Sequence, residues 1–140
     1  MTTITELPAA SKSPASHPDA NLLAAWGRRS VASAIYSGLP FSDCPNTAYT
    51  PEEQAQVEIM DAAEEAIRAV AATTPRGVEI QLWTALVHIE QTQDAEAAIN
   101  IMDLDWFLMD EGRFDWPVRL ILAALRSLRA MQAAPKGGAA

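Results

Sequence analysis

A threonine and a proline, Thr74 and Pro75, stand directly before an apolar run with helical spacing. Threonine accepts a hydrogen bond from the free amides at a helix start, and proline fits the first turn because it has no amide hydrogen. The apolar residues that follow recur at steps of four, four and three: Val78, Leu82, Leu86 and Ile89. This spacing places them on one face of a helix, predicted over residues 75–91.

The same helix has a second apolar face, formed by Ile80, Trp83 and Val87. A helix that is apolar on two sides is usually buried on both. The sequence therefore predicts that the helix beginning at Pro75 lies at the centre of the fold.

The clearest helix start belongs to a segment predicted over residues 51–72. Thr50 and Glu53 have the spacing of a capping box, in which two side chains satisfy free backbone amides. An apolar stripe follows, consisting of Met60, Ala63, Ile67 and Val70. Glu58, Asp61 and Glu65 fall on the opposite side of this helix, so we expect these acids to face water or a partner.

Three further helices are predicted from apolar periodicity and from residues that favour helix ends. They cover about residues 18–37, 94–109 and 115–131, with Asp94 as the cap of the second. On the last helix the predicted core face is Leu120, Ala124, Leu128 and Met131, bordered by Ile121 and Leu125. Residues 103–116 leave an alternative open, because Gly112 could form the turn of a short hairpin.

These segments predict an all-α single domain, a bundle of four to five helices over residues 17–131. Residues 1–16 and 132–140 lack periodicity and are predicted to be disordered tails. A chain of 140 residues can bury about two-thirds of its unfolded surface, so no disulfide is required. The single cysteine, Cys44, lies in a proline-rich loop and is interpreted as a spectator residue.

The composition is that of a globular protein without a membrane span, since no apolar run approaches the roughly 20 residues that a bilayer requires. Residues 1–16 show neither the basic start nor the apolar block of a secretion signal. We therefore expect a cytoplasmic protein.

Charge is distributed unevenly along the acidic chain, whose formal net charge is −8. Residues 51–70 and 94–116 are rich in Asp and Glu, whereas residues 117–136 carry basic side chains and no acid. The net charge disfavours direct binding to nucleic acids. We expect the basic last helix to pack beside acidic helices; the alternative is that its arginines lie on anionic lipid.

No motif for a nucleophile, a phosphate-binding loop or a cofactor is found in the sequence. His88 has no second histidine or cysteine at metal-binding spacing, and we interpret it as an exposed or interface residue. Glu58 and Asp61 have the spacing of magnesium ligands in all-helical nucleotide pyrophosphatases, but residues 75–91 lack the second carboxylate pair. A metal-dependent nucleotide hydrolase is therefore the least favoured function, and no catalytic, metal or cofactor residue is assigned.

An aromatic cluster gives the best indication of function. It consists of Trp106, Phe107, Phe114 and Trp116, with four acidic residues interspersed. Aromatic anchors with a polar surround are typical of protein interfaces, although the same rings could belong to the core.

A non-enzymatic protein-interaction module is the first functional hypothesis, acting as an adaptor or inhibitor through acidic and aromatic surface. Its candidate partner-binding residues are Trp106, Phe107, Phe114, Trp116, Glu58, Asp61 and Glu65. The second hypothesis is an acidic mimic of nucleic acid that blocks a DNA-binding protein. The protein partner is not identified by the sequence, and formation of a homo-oligomer is left open.

Two segments, HPDANLLAAW at residues 17–26 and TTPRGV at residues 73–78, carry a resemblance to known sequences. With this pattern the chain resembles a group of small uncharacterised helical proteins from alphaproteobacteria and their prophages. The resemblance covers about residues 17–90 and includes no catalytic or ligand-binding residue. It implies a cytoplasmic, phage-associated helical protein.

Overall fold

The computed structural model describes residues 17–40 and 48–134, and the regular elements in these ranges are all helical. The prediction of an all-α protein is thus confirmed. The elements are α1 (Ala20–Gly38), α2 (Pro51–Arg68), α3 (Pro75–Ile89), α4 (Gln93–Asn100), α5 (Leu104–Leu108) and α6 (Trp116–Ala133), with a short 3-10 helix at Glu111–Arg113. Cys44 and the tail predicted over residues 1–16 lie outside the described residues, and α6 continues to Ala133 rather than ending near Met131.

α3 lies at the centre of the fold, as its two apolar faces predict. It contacts α1, α2, α4 and α6. Ile80, Trp83 and Leu86 are fully buried on it, each contributing roughly 1.5–3 kcal/mol through removal of apolar surface from water. α1 and α2 pack along each other beside this centre.

The two helix starts identified in the sequence have the expected caps. The Thr50 hydroxyl accepts a hydrogen bond from the Glu53 amide at 3.1 Å, and the Glu53 carboxylate accepts one from the Thr50 amide at 2.8 Å. At α3 the Thr74 hydroxyl accepts from the Gly77 amide at 3.1 Å. The N-cap of α4 is Thr92, not Asp94 as predicted, and its hydroxyl accepts from the Ala95 amide.

Asp19, just before α1, connects the start of α1 to the start of α3. Its carboxylate accepts hydrogen bonds from the Thr73 and Thr74 amides, at 3.0 and 2.9 Å, and from both threonine hydroxyls. The hydroxyl of Thr74 makes the largest contribution to lowering the pKa of Asp19 to about 2, against an opposing effect of desolvation. The two segments of the sequence resemblance, residues 17–26 and 73–78, therefore meet at this carboxylate.

The helix predicted over residues 94–109 is divided into α4 and α5, so the bundle has more helices than expected. Met102 stands between them with φ = 54°, in the left-handed region. Its amide donates to the Ile99 carbonyl and the Asp103 amide donates to the Ala98 carbonyl, which is the hydrogen-bond pattern of a Schellman helix end. The alternative hairpin over residues 103–116 is wrong, since α5, the 3-10 helix and the first residue of α6 lie there.

The buried face of α6 differs from the predicted one. Val118, Leu122 and Leu125 are fully buried, whereas Leu120 is 54% and Met131 61% exposed. Ala124 and Leu128 are half-buried at the edge between the two faces. The predicted stripe of α6 therefore does not form the core contact.

The stripes predicted on the other helices are partly correct. Ala63 and Ile67 of α2 are buried, but Val70 follows the end of the helix and is 45% exposed. On α3 the predicted face ends with Ile89, which is 46% exposed.

α6 is attached to α3 by a buried carboxylate, Glu79. Its oxygens accept hydrogen bonds from Arg129 at 2.8 Å, from Gln132 at 2.8 Å and from the Trp83 indole at 2.9 Å. Burial alone would raise the pKa of Glu79, but these hydrogen bonds and the Arg129 charge outweigh burial and lower it. Of the expected pairing between basic α6 and the acidic segments 51–70 and 94–116, the described residues show one contact, between Arg126 and Glu111 at 3.8 Å.

Candidate polar network and interhelical groove

A buried arginine, Arg29, joins three helices. Its side chain lies on the core-facing side of α1, 1% exposed, with the guanidinium 5.4 Å from the Trp26 ring centre. The guanidinium donates to Glu64 of α2 at 3.0 Å and to Asn100 of α4 at 2.7 Å. Because the burial of an unpaired charge is costly, these partners hold α1, α2 and α4 in one arrangement.

Two further residues complete this network. Glu96 accepts a hydrogen bond from the Ser33 hydroxyl at 2.7 Å and lies 3.5 Å from Arg29. The Asn100 amide donates to the Ser33 hydroxyl at 3.0 Å. The network is thus formed by side chains that satisfy one another within the fold.

Glu64 connects the buried network to the surface. One of its oxygens faces Arg29, and the other lies 2.8 Å from Nε2 of His88 on α3. The His88 side chain is 60% exposed, as predicted for a surface or interface residue. Glu64 therefore fixes the position of an exposed imidazole at the boundary between α2 and α3.

A groove of about 640 Å³ runs along this boundary and is called the α2–α3 groove. Its lining residues come from both helices: Asp61, Glu64, Glu65, Ile67, Arg68, Gln81, Thr84, Ala85 and His88. Gln81 connects α3 to the C-terminal end of α2 by donating hydrogen bonds to the Ile67 and Val70 carbonyls, at 3.2 and 2.8 Å. Most of the surface that lines the groove is apolar, and the exposed carboxylates of Asp61 and Glu65 border it together with Arg68, which pairs with Glu65.

The predicted acidic residues belong to this part of the surface. Asp61 and Glu65 line the groove, and Glu58 is exposed one helical turn before Asp61. A hydrogen bond from Arg68 is the main cause of a lowered pKa at Glu65. Glu58 accepts a hydrogen bond from Gln54 at 3.1 Å.

The predicted aromatic residues are divided between the core and the surface. Phe107 is fully buried and Phe114 is 6% exposed, with their ring centres 5.5 Å apart. Trp106 is half-buried, edge-on to Phe107 and covered by the Arg113 guanidinium at 4.8 Å. Trp116, in contrast, is 68% exposed, so it alone of the four presents most of its ring to solvent.

The acidic and aromatic candidates do not form one site. None of the four aromatic residues lies among the described residues that line the α2–α3 groove. Trp116 belongs to the first turn of α6, and α6 contacts α3 and α5.

The network residues Arg29, Ser33, Glu96 and Asn100 were not predicted from the sequence. A signal was present in α1, because Leu22, Trp26, Arg29 and Ser33 recur at steps of four, three and four and so share one helix face. A charged residue on an apolar stripe indicates a buried ion pair. The partners Glu96 and Asn100 had no such signal.

In residues 17–40 and 48–134 there is no group of three or more His, Cys, Asp or Glu side chains arranged to hold a metal ion. Within the same ranges, no helix is both long enough and apolar enough to cross a membrane. A comparison of the chain with protein-family models, with curated proteins and with solved structures gives no match.

Proposed function

We propose that the protein is a non-enzymatic protein-interaction module, acting in the cytoplasm as a phage- or host-associated adaptor or inhibitor. The observation that carries this proposal is the α2–α3 groove, in which a mostly apolar lining surface is bordered by the carboxylates of Asp61 and Glu65. A concave surface of this kind can bury an apolar side chain of a partner while its rim pairs with basic groups.

The groove sets the chemistry of the partner. Ala85 is exposed and offers apolar contact, and Thr84 and His88 offer polar atoms beside it, whereas Ile67 is 1% exposed and lies behind them in the core. A helix or extended segment with one large apolar residue, flanked by Lys or Arg, fits this combination. Most of the affinity is expected from the buried apolar residue, because exposed charge pairs contribute only about 0–1 kcal/mol each.

The proposal is tested by affinity capture from an alphaproteobacterial lysate with the wild type and an Asp61→Lys/Glu65→Lys variant. A variant with Glu52→Lys and Asp94→Lys, two exposed acids in the first turns of α2 and α4, changes the net charge by the same amount and is the matched control. We expect a protein that is captured by the wild type and the control and is lost with the groove variant. Capture that is equal for all three folded proteins would contradict a binding role for the groove.

A second candidate function, the nucleic-acid mimic, is supported by the row of carboxylates on α2. Glu58, Asp61 and Glu65 are all exposed, at steps of three and four residues on one helix face. A mimic of phosphates would bind its partner through charge, so that complex should weaken steeply as salt rises. A complex that depends on the apolar lining surface of the groove should be much less sensitive to salt.

A further inference from the structure

A second cavity, of about 210 Å³, lies where the end of α3, the start of α4 and the start of α6 meet. It is lined by Glu90, Thr92, Arg113, Phe114 and Asp115, none of which lines the α2–α3 groove. Glu90 is the C-cap of α3, Thr92 is the N-cap of α4 and Asp115 is the N-cap of α6. Arg113 is the last residue of the 3-10 helix. This cavity, called the Arg113 cavity, therefore brings together charges of both signs from separate elements.

Arg113 is positioned by aromatic rings and not by an acid. Its guanidinium carbon lies 4.8 Å from the centre of the Trp106 ring and 4.6 Å from that of the Phe114 ring. Contacts with two ring faces restrict the side chain, while the N–H donors at the edge of the planar guanidinium stay free to bond. No carboxylate of residues 17–40 and 48–134 forms an ion pair with Arg113. Its donors are therefore available to a carboxylate from solution.

The two acids of the Arg113 cavity are also without a basic partner among the residues that the structure describes. Asp115 stands at the N-cap of α6 but makes no capping hydrogen bond, in contrast to Thr92 at the start of α4. Glu90 is partly buried at the end of α3. Arg113 is thus not neutralised by the acids that share its cavity, and a ligand that carries both charges can pair with each side.

A small zwitterion fits this arrangement in charge and in size. The guanidinium binds a carboxylate through two parallel N–H donors, and the Thr92 hydroxyl can donate to the same group, since its oxygen accepts from the Ala95 amide. An anion alone would meet two carboxylates, and a cation alone would leave Arg113 without a partner. The volume of about 210 Å³ holds about seven water-sized atoms at roughly 30 Å³ each, which is the size of glycine, alanine or serine.

We propose that the Arg113 cavity binds a free α-amino acid with a small side chain. Arg113 and Thr92 hold the carboxylate of the ligand, and Glu90 and Asp115 hold its ammonium group. Phe114 supplies the apolar wall of the cavity. This binding site goes beyond the proposed interaction function, because it shares no residue with the α2–α3 groove.

The first experiment is a titration of the isotope-labelled full chain with glycine, alanine or serine, followed by amide chemical shifts. We expect saturable shifts at Thr92, Arg113 and Asp115, with half-saturation at about 1 mM for the best of the three amino acids. Acetate and methylammonium, which carry one charge each, should bind at least about tenfold more weakly. The inference is overturned if none of the three amino acids gives a saturable shift up to about 50 mM, or if either single ion binds as tightly as they do.

Substitutions test the two ends of the ligand separately. Arg113→Gln removes the partner of the carboxylate and Glu90→Gln removes a partner of the ammonium group, so each should weaken alanine binding about tenfold or more. The matched controls, Arg119→Gln and Asp94→Asn, change exposed residues outside the cavity and should bind alanine like the wild type. Unchanged binding in Glu90→Gln, or an equal loss in a control, would contradict the assignment of the ligand to this cavity.

Arg113 also covers Trp106, so circular dichroism is used to check that Arg113→Gln is folded. Glu90→Gln leaves this stacking in place and gives a decisive result even if Arg113→Gln unfolds. The groove variant Asp61→Lys/Glu65→Lys should bind alanine like the wild type. Failure of amino-acid binding does not remove the proposed function, because groove-dependent capture of another protein is measured separately.

Discussion

At the scale of single residues, the contact between Asp19 and the start of α3 determines which side chains the first turn can hold. The carboxylate of Asp19 accepts hydrogen bonds from Thr73 and Thr74 and lies against the backbone of Gly77. A Cβ atom at position 77 would overlap this carboxylate and would also crowd the side chain of Ala72. Position 77 therefore requires glycine, because the Asp19 carboxylate lies too close for a Cβ atom.

We expect Gly77→Ala to destabilise the protein by about 1–3 kcal/mol, since the Asp19 carboxylate, which accepts hydrogen bonds from four donor groups, must move. Gly27→Ala on α1 is the matched control, because no atom beyond the adjoining residues and the backbone of the same helix lies within 4 Å of the added Cβ. Alanine is the better helix former, so the control should stabilise by up to about 1 kcal/mol. Urea unfolding measures both, and a stabilising Gly77→Ala would refute the close approach.

Asp19 also makes the free energy of unfolding dependent on pH. Its pKa is about 2 in the folded state and 3.8 ordinarily, so the unfolded chain binds the proton more readily. The stabilisation is fully present above about pH 4 and is lost as the pH falls through about 2. We expect Asp19→Asn to flatten the pH dependence in this window, as measured by thermal unfolding at several pH values. Identical slopes for both proteins would show that the carboxylate is not held as described.

The caps at Thr50 and Thr74 were predictable because each uses partners within three residues. The role of Asp19 was not predictable in the same way. Its partner Thr73 is 54 positions away, and only the packing of α1 beside α3 brings the two together. Hydrogen bonds between residues close in sequence can be predicted from residue spacing. Contacts between distant segments cannot be predicted from the spacing in a single sequence.

At the scale of helices, Arg29 is the residue that connects α1, α2 and α4. Replacement by alanine leaves Glu64 without its buried partner, and we expect a loss of about 3–5 kcal/mol in the free energy of unfolding. The neighbouring Arg28 is exposed, and Arg28→Ala should change stability by less than about 0.5 kcal/mol. Chemical denaturation of the two variants compares a buried with an exposed arginine on one helix. Equal, small effects would mean that the network does not hold the helices together.

Apolar periodicity did not predict which face of α6 is buried. Leu120, Leu128 and Met131 have helical spacing, and so have Val118, Leu122 and Leu125. A helix with apolar residues on both sides has two candidate core faces, and the choice depends on what it packs against. Here Glu79 of α3 binds Arg129, which fixes the face that contains Leu122 and Leu125.

The break between α4 and α5 was not predictable from the sequence, for a related reason. A left-handed residue at a helix end is usually glycine or asparagine, and the chain has methionine there instead. Met102 is 9% exposed, and its carbonyl accepts a hydrogen bond from Arg129 at 2.8 Å. Tertiary contacts therefore stabilise a left-handed conformation at Met102 that the local sequence does not predict.

At the scale of the whole molecule, the exposure of the acidic candidates was predictable and that of the aromatic candidates was not. Acids opposite the α2 stripe had to face outward, and Asp61 and Glu65 do border the groove. The sequence did not distinguish buried from exposed aromatic residues. Phe107 lies in the core, whereas Trp116, in the first turn of α6, is 68% exposed. The groove itself depends on how α2 and α3 are spaced, which composition does not encode.

The four tryptophans provide a readout of the fold as a whole. Trp83 is fully buried and Trp26 is 7% exposed, Trp106 is half-buried under Arg113, and Trp116 is 68% exposed. Acrylamide quenches exposed indoles efficiently, so we expect one readily quenched component in dilute protein, and Trp116→Phe should remove it with little change in unfolding temperature. Trp83→Phe is the control that should leave this component intact while it destabilises the core. Rapid quenching that persists in Trp116→Phe would mean that Trp26, Trp83 or Trp106 is more exposed than described.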